Sequence, residues 1–252
     1  AGIEQGVAKL RADGAGEEVV AAFRHYAGQL AAGETGLLRE ADLEPVDTLP
    51  DAAALPDPGP DVGELLDATV VIKLNGGLGT SMGMTRAKSL LEVKDGLSFL
   101  DIAALQVERL RRRFGDVAPR IPLVLMNSFA TREDSLAALA GHPGLSADVP
   151  ADIVQGRLPK LRDDGSLAPV SWPADQTLEW APPGHGDLYP ALVASGVLAA
   201  LLDGGYRYAF VSNADNLGAV LDPRILAWFA QAGIPFLMEV ADRTPADRKG
   251  GH

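Results

Sequence analysis

The sequence predicts an α/β protein: a mainly parallel sheet flanked by helices, with a helical extension ahead of it. Two observations carry this. From residue 69 onward, short apolar and β-branched runs alternate with segments of helical period, the pattern of strands joined by crossover helices. The most apolar of these runs, 70–74, ends abruptly in Asn75-Gly76-Gly77-Leu78-Gly79-Thr80-Ser81-Met82-Gly83, where a parallel sheet delivers its chain to a ligand-facing turn.

Residues 1–40 read as helical, with Val19, Val20, Phe23, Tyr26 and Leu30 forming one apolar face. Pro45, Pro50, Pro56, Pro58 and Pro60 then punctuate an Asp- and Ala-rich stretch. Such a stretch holds neither a helix nor a central strand, so an extended surface connector is expected. The chain therefore divides into an extension with its connector, 1–60, and an α/β domain, 61–252. Strands are predicted at 69–75, 121–126, 207–212 and 235–240, with shorter ones near 90–93, 152–155 and 168–171. Helices are predicted at 100–114, 131–140, 187–202 and 223–232. Asp222 followed by Pro223 reads as a cap with proline at the first helical position, and Gly233 as the stop. Asp187 is read as the cap of its helix in the same way, with Pro190 tolerated in the first turn.

Composition bounds the function. The 252 residues are 47% hydrophobic and carry a formal net charge of −12. A general nucleic-acid surface is not expected, because backbone binding needs concentrated Lys and Arg. The one basic run, Arg111-Arg112-Arg113, falls at a predicted helix end, where cations suit the macrodipole. No apolar run is long enough to span a bilayer, and no membrane partner is expected. The N-terminal residues lack a signal-peptide pattern, so a cytoplasmic location is the expectation. The absence of cysteine removes disulfides and thiolate metal sites.

The glycine turn is an anion cradle in outline. Glycine lets the backbone approach a ligand closely and aim its N–H groups at a phosphate, and Lys88 stands a few residues beyond as a cation. It is not a P-loop, because Ala87 precedes Lys88 where that motif needs glycine. It also misses the dinucleotide fingerprint: after Gly77 and Gly79 the third glycine falls at Gly83, one place late, so an NAD(P)-dependent dehydrogenase is a remote alternative. A tight turn without ligand is the plain alternative.

Ligands of a parallel sheet sit beyond the carboxyl ends of its strands. Ser212-Asn213-Ala214-Asp215-Asn216 follows one predicted strand. Asp215 there suits a hard divalent cation, since Mg²⁺ takes one or two carboxylates plus substrate phosphates; an Asp-Asn turn bonded to its own backbone is the equal alternative. Pro182-Pro183-Gly184-His185-Gly186-Asp187 leads into a helix and offers His185 as a hydrogen-bonding group. A plain loop with a surface histidine is the simpler reading of that segment. Glu239, ending the last predicted strand, and Lys249 with Gly250 beyond it are further candidates for sugar or phosphate contact.

Together these segments resemble the UTP–glucose-1-phosphate uridylyltransferases, also called UDP-glucose pyrophosphorylases, of the type common in eukaryotes. The resemblance rests on KLNGGLGTSMG at 73–83, AKSL around Lys88, PLVLMNSF at 122–129, PPGHGDLY at 182–189, FVSNADNLGA at 210–219 and MEVADRTPADRKGG at 238–251, in family order. Related N-acetylhexosamine uridylyltransferases and UDP-sugar pyrophosphorylases are the alternatives, and Leu78 and Ser81 favour the glucose 1-phosphate type.

The resemblance implies a Rossmann-like, GT-A-like nucleotidyltransferase domain at 61–252, and a reaction of UTP with glucose 1-phosphate giving UDP-glucose and pyrophosphate. Leu74, Asn75, Gly76, Gly77, Lys88, Gln155, Gly184 and Asp215 are thereby implied to bind UTP, with Lys88 catalytic. Gln155, in VQGRLPKL, is implied to read uracil together with Gly184. His185, Asn213, Ala214, Glu239 and Gly250 are implied to contact the sugar phosphate, and Asp215 to hold Mg²⁺, the one cofactor expected. Because family members continue into a β-helical domain with a second phosphate-contacting lysine, the chain is expected to be an N-terminal portion, with or without activity of its own.

Overall fold

A computed structural model describes residues 1–78, 86–114, 119–145 and 147–246. Its main sheet contains β1 (Thr69–Asn75), β4 (Leu123–Asn127), β5 (Asp152–Val154) and β8 (Tyr208–Asn213) in the order β5-β4-β1-β8, every neighbouring pair parallel. The predicted α/β class is borne out. β2 (Glu92–Lys94) and β3 (Leu97–Ser98) form a separate antiparallel hairpin, and β6 (Leu158–Pro159) and β7 (Trp180–Ala181) pair antiparallel as well.

Among the described residues, six helices cover the sheet. On one face α3 (Val62–Asp67), α4 (Phe99–Arg113), α5 (Arg132–Leu139) and α8 (Pro223–Ala232) place Leu66, Leu100, Ala104, Leu139 and Leu226 against Val71, Leu123 and Leu125. On the other, α6 (Leu188–Ala194) and α7 (Val197–Asp203) place Leu188, Val197 and Leu201 against Val70, Ile72, Val124 and Met126. A strand buried on both faces reads as a continuous apolar run rather than an alternating one, which is why 70–74 is so conspicuous. Ser98 and Asp101 form a capping box that starts α4. Asp222 caps α8 by accepting from the Arg224 N–H at 2.8 Å, and Gly233 ends it at φ +62°.

Several expectations are corrected. The helical reading of 1–40 resolves into α1 (Gly2–Ala12) and α2 (Glu17–Ala31), broken at Gly14 with φ +84°. Val20, Phe23 and Ala27 form the buried face with Val7 and Leu10, and pack on Leu158, Leu161 and Trp180; Tyr26 and Leu30 point outward. The predicted helix 187–202 breaks at Gly196, φ +74°, into α6 and α7. The Asp187 side chain makes no cap bond, because its carboxylate accepts from the Gly156 N–H instead. No strand forms at 168–171: Pro169 has no N–H to give, Leu167 takes φ +51°, and only an isolated bridge to Leu161 remains. The run 235–240 is no strand either: it has no ladder partner among the described residues, and Phe236, Met238 and Val240 are exposed. Arg111 is more than a solvated helix end, since it donates to the carbonyls of Gly144 and Ile121.

Lys73 interrupts the apolar run of β1 and is 2% exposed. Its ammonium donates to Ser212 Oγ at 2.7 Å and to the Ala219 carbonyl at 3.0 Å, and burial pushes its pKa from 10.5 down to about 8. Below pH 8 both native and unfolded chains hold this proton, and the full cost of burying the charge is present. Between about 8 and 10.5 the unfolded chain holds more of it, so stability rises with pH across that window. The gain is up to about 3 kcal/mol, since a tenfold change in proton affinity is worth about 1.4 kcal/mol. Urea denaturation at pH 8 and at pH 10.5 is expected to show this rise for the wild type relative to Lys73→Met; parallel curves for both would contradict it.

A candidate active site at the strand ends

The register brings the strand ends level. Leu74 pairs with Met126 on one side and Asn213 on the other, and Asn75 pairs with Asn127. β4 continues this to Val154, so Gln155 leaves β5 beside the same rim. Across these four strands the rim is roughly 14 Å wide, three inter-strand spacings.

A buried polar knot fixes the turn that leaves β1. The Asn75 amide donates to Asn127 Oδ1 at 2.7 Å and to Ser135 Oγ at 2.8 Å, and Ser89 donates to Asn75 Oδ1. All four residues are buried. In such surroundings each unsatisfied partner costs about 1–3 kcal/mol, so the knot holds its geometry. Ser89 ties Lys88 to the strand end, and the Lys88 backbone N–H donates to the Gly77 carbonyl at 3.1 Å. Leu78 and Ala87 bridge there as antiparallel neighbours. Gly79, Thr80, Ser81, Met82 and Gly83 lie outside the described residues.

A cavity of about 350 Å³ opens on this rim. Eleven of the residues singled out in the sequence line it: Leu74, Asn75, Gly76, Gly77, Lys88, Gln155, Gly184, His185, Asn213, Ala214 and Asp215. Its β5 side is an amide edge, where Gln155 Nε2 donates to the Gly184 carbonyl at 3.0 Å and Gly184 turns at φ +96°. Gly76 packs so tightly against this edge that a Cβ there would meet Gln155 Oε1 at 2.5 Å. The β8 side carries charge, with Lys88 Nζ 3.0 Å from Asp215 Oδ2. The turn reading of this segment holds for Asn216. Asn216 makes the turn, its side chain accepting from the N–H groups of Gly218 and Ala219, which leaves the Asp215 carboxylate facing the cavity. Among the described residues no three His, Asp or Glu side chains converge, and Asp215 is the one carboxylate among the cavity's lining residues.

The structure does not bring Glu239 to this cavity. It stands in an exposed segment that has no strand partner among the described residues. Lys249 and Gly250 lie outside the described residues. Sequence reasoning missed Ser89, Met126, Asn127 and Asp187. The first three sit inside segments already conspicuous for their order: inspecting every residue at each strand end finds Met126 and Asn127, and Ser89 stands next to the candidate cation Lys88. Asp187 was hidden by its resemblance to a helix cap; burial raises its carboxyl above the usual range while the Gly156 N–H draws it back down.

Comparison with known proteins follows the same lines. The profile of the family described as UTP–glucose-1-phosphate uridylyltransferase matches residues 21–252. A curated UTP–glucose-1-phosphate uridylyltransferase of Astragalus penduliflorus is 42% identical over 207 residues, 82% of this chain and 42% of that protein. Among solved structures, a mutant UDP-glucose pyrophosphorylase from Leishmania major in complex with UDP-glucose superposes with a TM-score of 0.90 at 42% identity, covering 100% of this chain and 52% of that one. A UDP-glucose phosphorylase from Trypanosoma brucei superposes with a TM-score of 0.84 at 43% identity, again over 100% and 52%. The chain thus spans about half the length, or less, of the proteins it matches.

Proposed function

The chain belongs to the UTP–glucose-1-phosphate uridylyltransferase family, and from that premise we propose that its cavity binds UTP and glucose 1-phosphate for transfer of UMP to the sugar phosphate, giving UDP-glucose and pyrophosphate. One observation carries this: an amide edge, Gln155 with Gly184, and a charge pair, Lys88 with Asp215, face each other across a single strand-end cavity. An elongated ligand with a hydrogen-bonding base at one end and phosphates at the other fits that polarity.

In the proposed reaction a phosphate oxygen of glucose 1-phosphate attacks the α-phosphorus of UTP in line. The new P–O bond forms as the bond to the β-phosphate oxygen breaks and pyrophosphate leaves with that electron pair. The attacking oxygen is already ionised, so no side chain has to take a proton. The obstacle is the approach of two polyanions, and positioning with charge neutralisation supplies the rate. Lys88 is placed to neutralise the transferring and leaving phosphates. Its contact with Asp215 is partly exposed, 44% and 35% for the two side chains. Such a pair is worth about 0–1 kcal/mol, so both partners exchange cheaply onto a nucleotide. Asp215 fits the one-carboxylate, phosphate-dependent mode in which Mg²⁺ is commonly held. Bound there with the nucleotide, Mg²⁺ would act as a Lewis acid on the phosphate oxygens. Gln155 and Gly184 would orient the uracil, Asn213, Ala214 and His185 the sugar phosphate.

Pyrophosphate release from UTP with a panel of hexose 1-phosphates, measured on these 252 residues and on a chain extended to its relatives' length, tests the proposal. Release that depends on glucose 1-phosphate is expected in the longer chain, and calorimetric UDP-glucose uptake in both. No uptake in either overturns the proposal. Binding without release in the shorter chain marks it as a nucleotide-binding portion alone.

Gly76→Ala probes the amide edge. The added methyl displaces the amide end of the Gln155 side chain, and with it the bond to Gly184, rather than backbone, and Gly76 has no positive φ that alanine would strain. UDP-glucose affinity is expected to fall about tenfold or more, the equivalent of one lost buried hydrogen bond at about 1–3 kcal/mol. The thermal midpoint should fall by several degrees, at about 2–4 °C per kcal/mol lost in a domain of this size, with the fold retained. Unchanged affinity by calorimetry would remove Gln155 from base recognition.

A further inference from the structure

Lys73 lies outside the cavity lining, on the opposite face of β1 from Leu74, yet it touches the loop that carries the charged side of the cavity. Its two acceptors are Ser212, at the end of β8, and Ala219, seven residues on. Between them stand Asn213, Ala214 and Asp215. Among the described residues Lys73 forms no ion pair with a carboxylate; besides its two acceptors it has the Phe210 ring, 5.7 Å away.

A buried ammonium answered only by a hydroxyl, a carbonyl and an aromatic face is an expensive way to fill a strand interior. Methionine or leucine would pack there at no such cost. What neither can do is reach two points of the following loop at once. The rest of that loop is lightly held. Ala214 donates to the Leu74 carbonyl at 3.0 Å, Gln106 donates to the Leu217 carbonyl at 3.0 Å, Asn216 closes its own turn and donates to the Asn213 carbonyl at 3.2 Å, and Asp215 meets Lys88 in a partly exposed pair.

We propose that Lys73 is a positioning residue, its ammonium clasping Ser212 and Ala219 so that the loop between them presents Asn213, Ala214 and Asp215 to the sugar-phosphate end of the cavity. The consequence for ligand rests on the reading of the cavity given above; the clasp itself does not.

Hydrogen exchange and calorimetry together test it. In Lys73→Met the N–H groups of Ala214, Gly218 and Ala219 are expected to exchange at least tenfold faster, while those of β4 are unchanged. Ser212→Ala, which removes one end of the clasp and leaves the strand intact, is expected to give a smaller rise at the same positions. UDP-glucose affinity should fall about tenfold in Lys73→Met, with affinity for UMP kept within about threefold, because the amide edge is untouched. Unchanged loop exchange in both variants overturns the clasp. Faster exchange throughout β4, or equal losses of UMP and UDP-glucose affinity, reduces Lys73 to a structural residue and also overturns it. Failure of the wild type to take up UDP-glucose would instead sink the functional reading, leaving the exchange data to decide the clasp.

Discussion

In the chain extended to its relatives' length, replacing Lys88 with alanine is expected to lower pyrophosphate release by about two to three decades, the largest loss any single substitution here should cause. The expectation follows from what the residue can and cannot be doing. Its contact with Asp215 is a partly exposed pair, worth about 0–1 kcal/mol at most, so its removal leaves stability nearly unchanged. Its place, by contrast, is set with care. Ser89 anchors it to the buried Asn75, and its backbone N–H is tied to the Gly77 carbonyl. A side chain held this firmly at the base and this loosely at the tip suits a cation that must meet a phosphate where charge develops. Losing one preorganised charge contact of that kind commonly costs on the order of 3–4 kcal/mol in the barrier, which is the two to three decades stated. Because the contact acts in the transition state, the loss should fall on kcat more than on KM. Wild-type turnover in Lys88→Ala would remove the catalytic assignment, and a collapse in Tm alongside lost activity would point to folding instead. Lys88→Arg should recover only part of the rate, since a planar fork replaces a point charge.

What the sequence makes legible here is the strand and the residue just beyond it. Apolar β-branched runs mark β1, β4 and β8 without help from anything else, and in a parallel sheet the carboxyl end is where ligands gather. Asn75 and Asp215 could therefore be placed at strand ends from their positions alone, whereas Gln155 and Asn213 entered through the family resemblance. Side-chain direction is a different matter. Lys73 and Leu74 are adjacent, but alternation sends Leu74 into the cavity and Lys73 to the opposite face, where its partners lie 139 and 146 residues away. Asp187 stands at a helix start and looks like a cap, and only the approach of Gly156, 31 residues earlier, shows where its carboxylate goes. The break at Gly196 was hidden because a glycine inside an apolar period reads as a tolerated defect until its φ is known. The run 235–240 has every local mark of a strand, yet a strand needs a neighbour as well as a composition. Local pattern thus locates the chemistry, and non-local pairing decides which side chains take part.

Asp215→Asn separates metal handling from everything else at the site. Asparagine keeps the shape and one acceptor oxygen but loses the charge, so the loop, whose contacts through Lys73, Asn216 and Gln106 are untouched, should stay in place. The only described contact of this carboxylate is the pair with Lys88, so unfolding stability is expected to change by no more than that pair is worth, about 1 kcal/mol or less. A divalent cation has far more at stake. Asp215 is the one carboxylate among the cavity's lining residues, and with no cluster of three His, Asp or Glu among the described residues the phosphates must supply the remaining charge. In the wild type, Mg²⁺ without nucleotide should therefore bind weakly, because one carboxylate already engaged by a lysine is a poor site. In Asp215→Asn the Mg²⁺ concentration for half-maximal pyrophosphate release should rise at least about tenfold, a loss of about 1.4 kcal/mol or more in cation affinity. Mn²⁺ paramagnetic resonance in the presence of UTP gives the same answer without turnover: the bound signal should weaken in the variant and remain in Gly76→Ala, whose damage lies at the amide edge. An identical Mg²⁺ titration in wild type and Asp215→Asn would take the metal away from this residue, whatever happens to the rate.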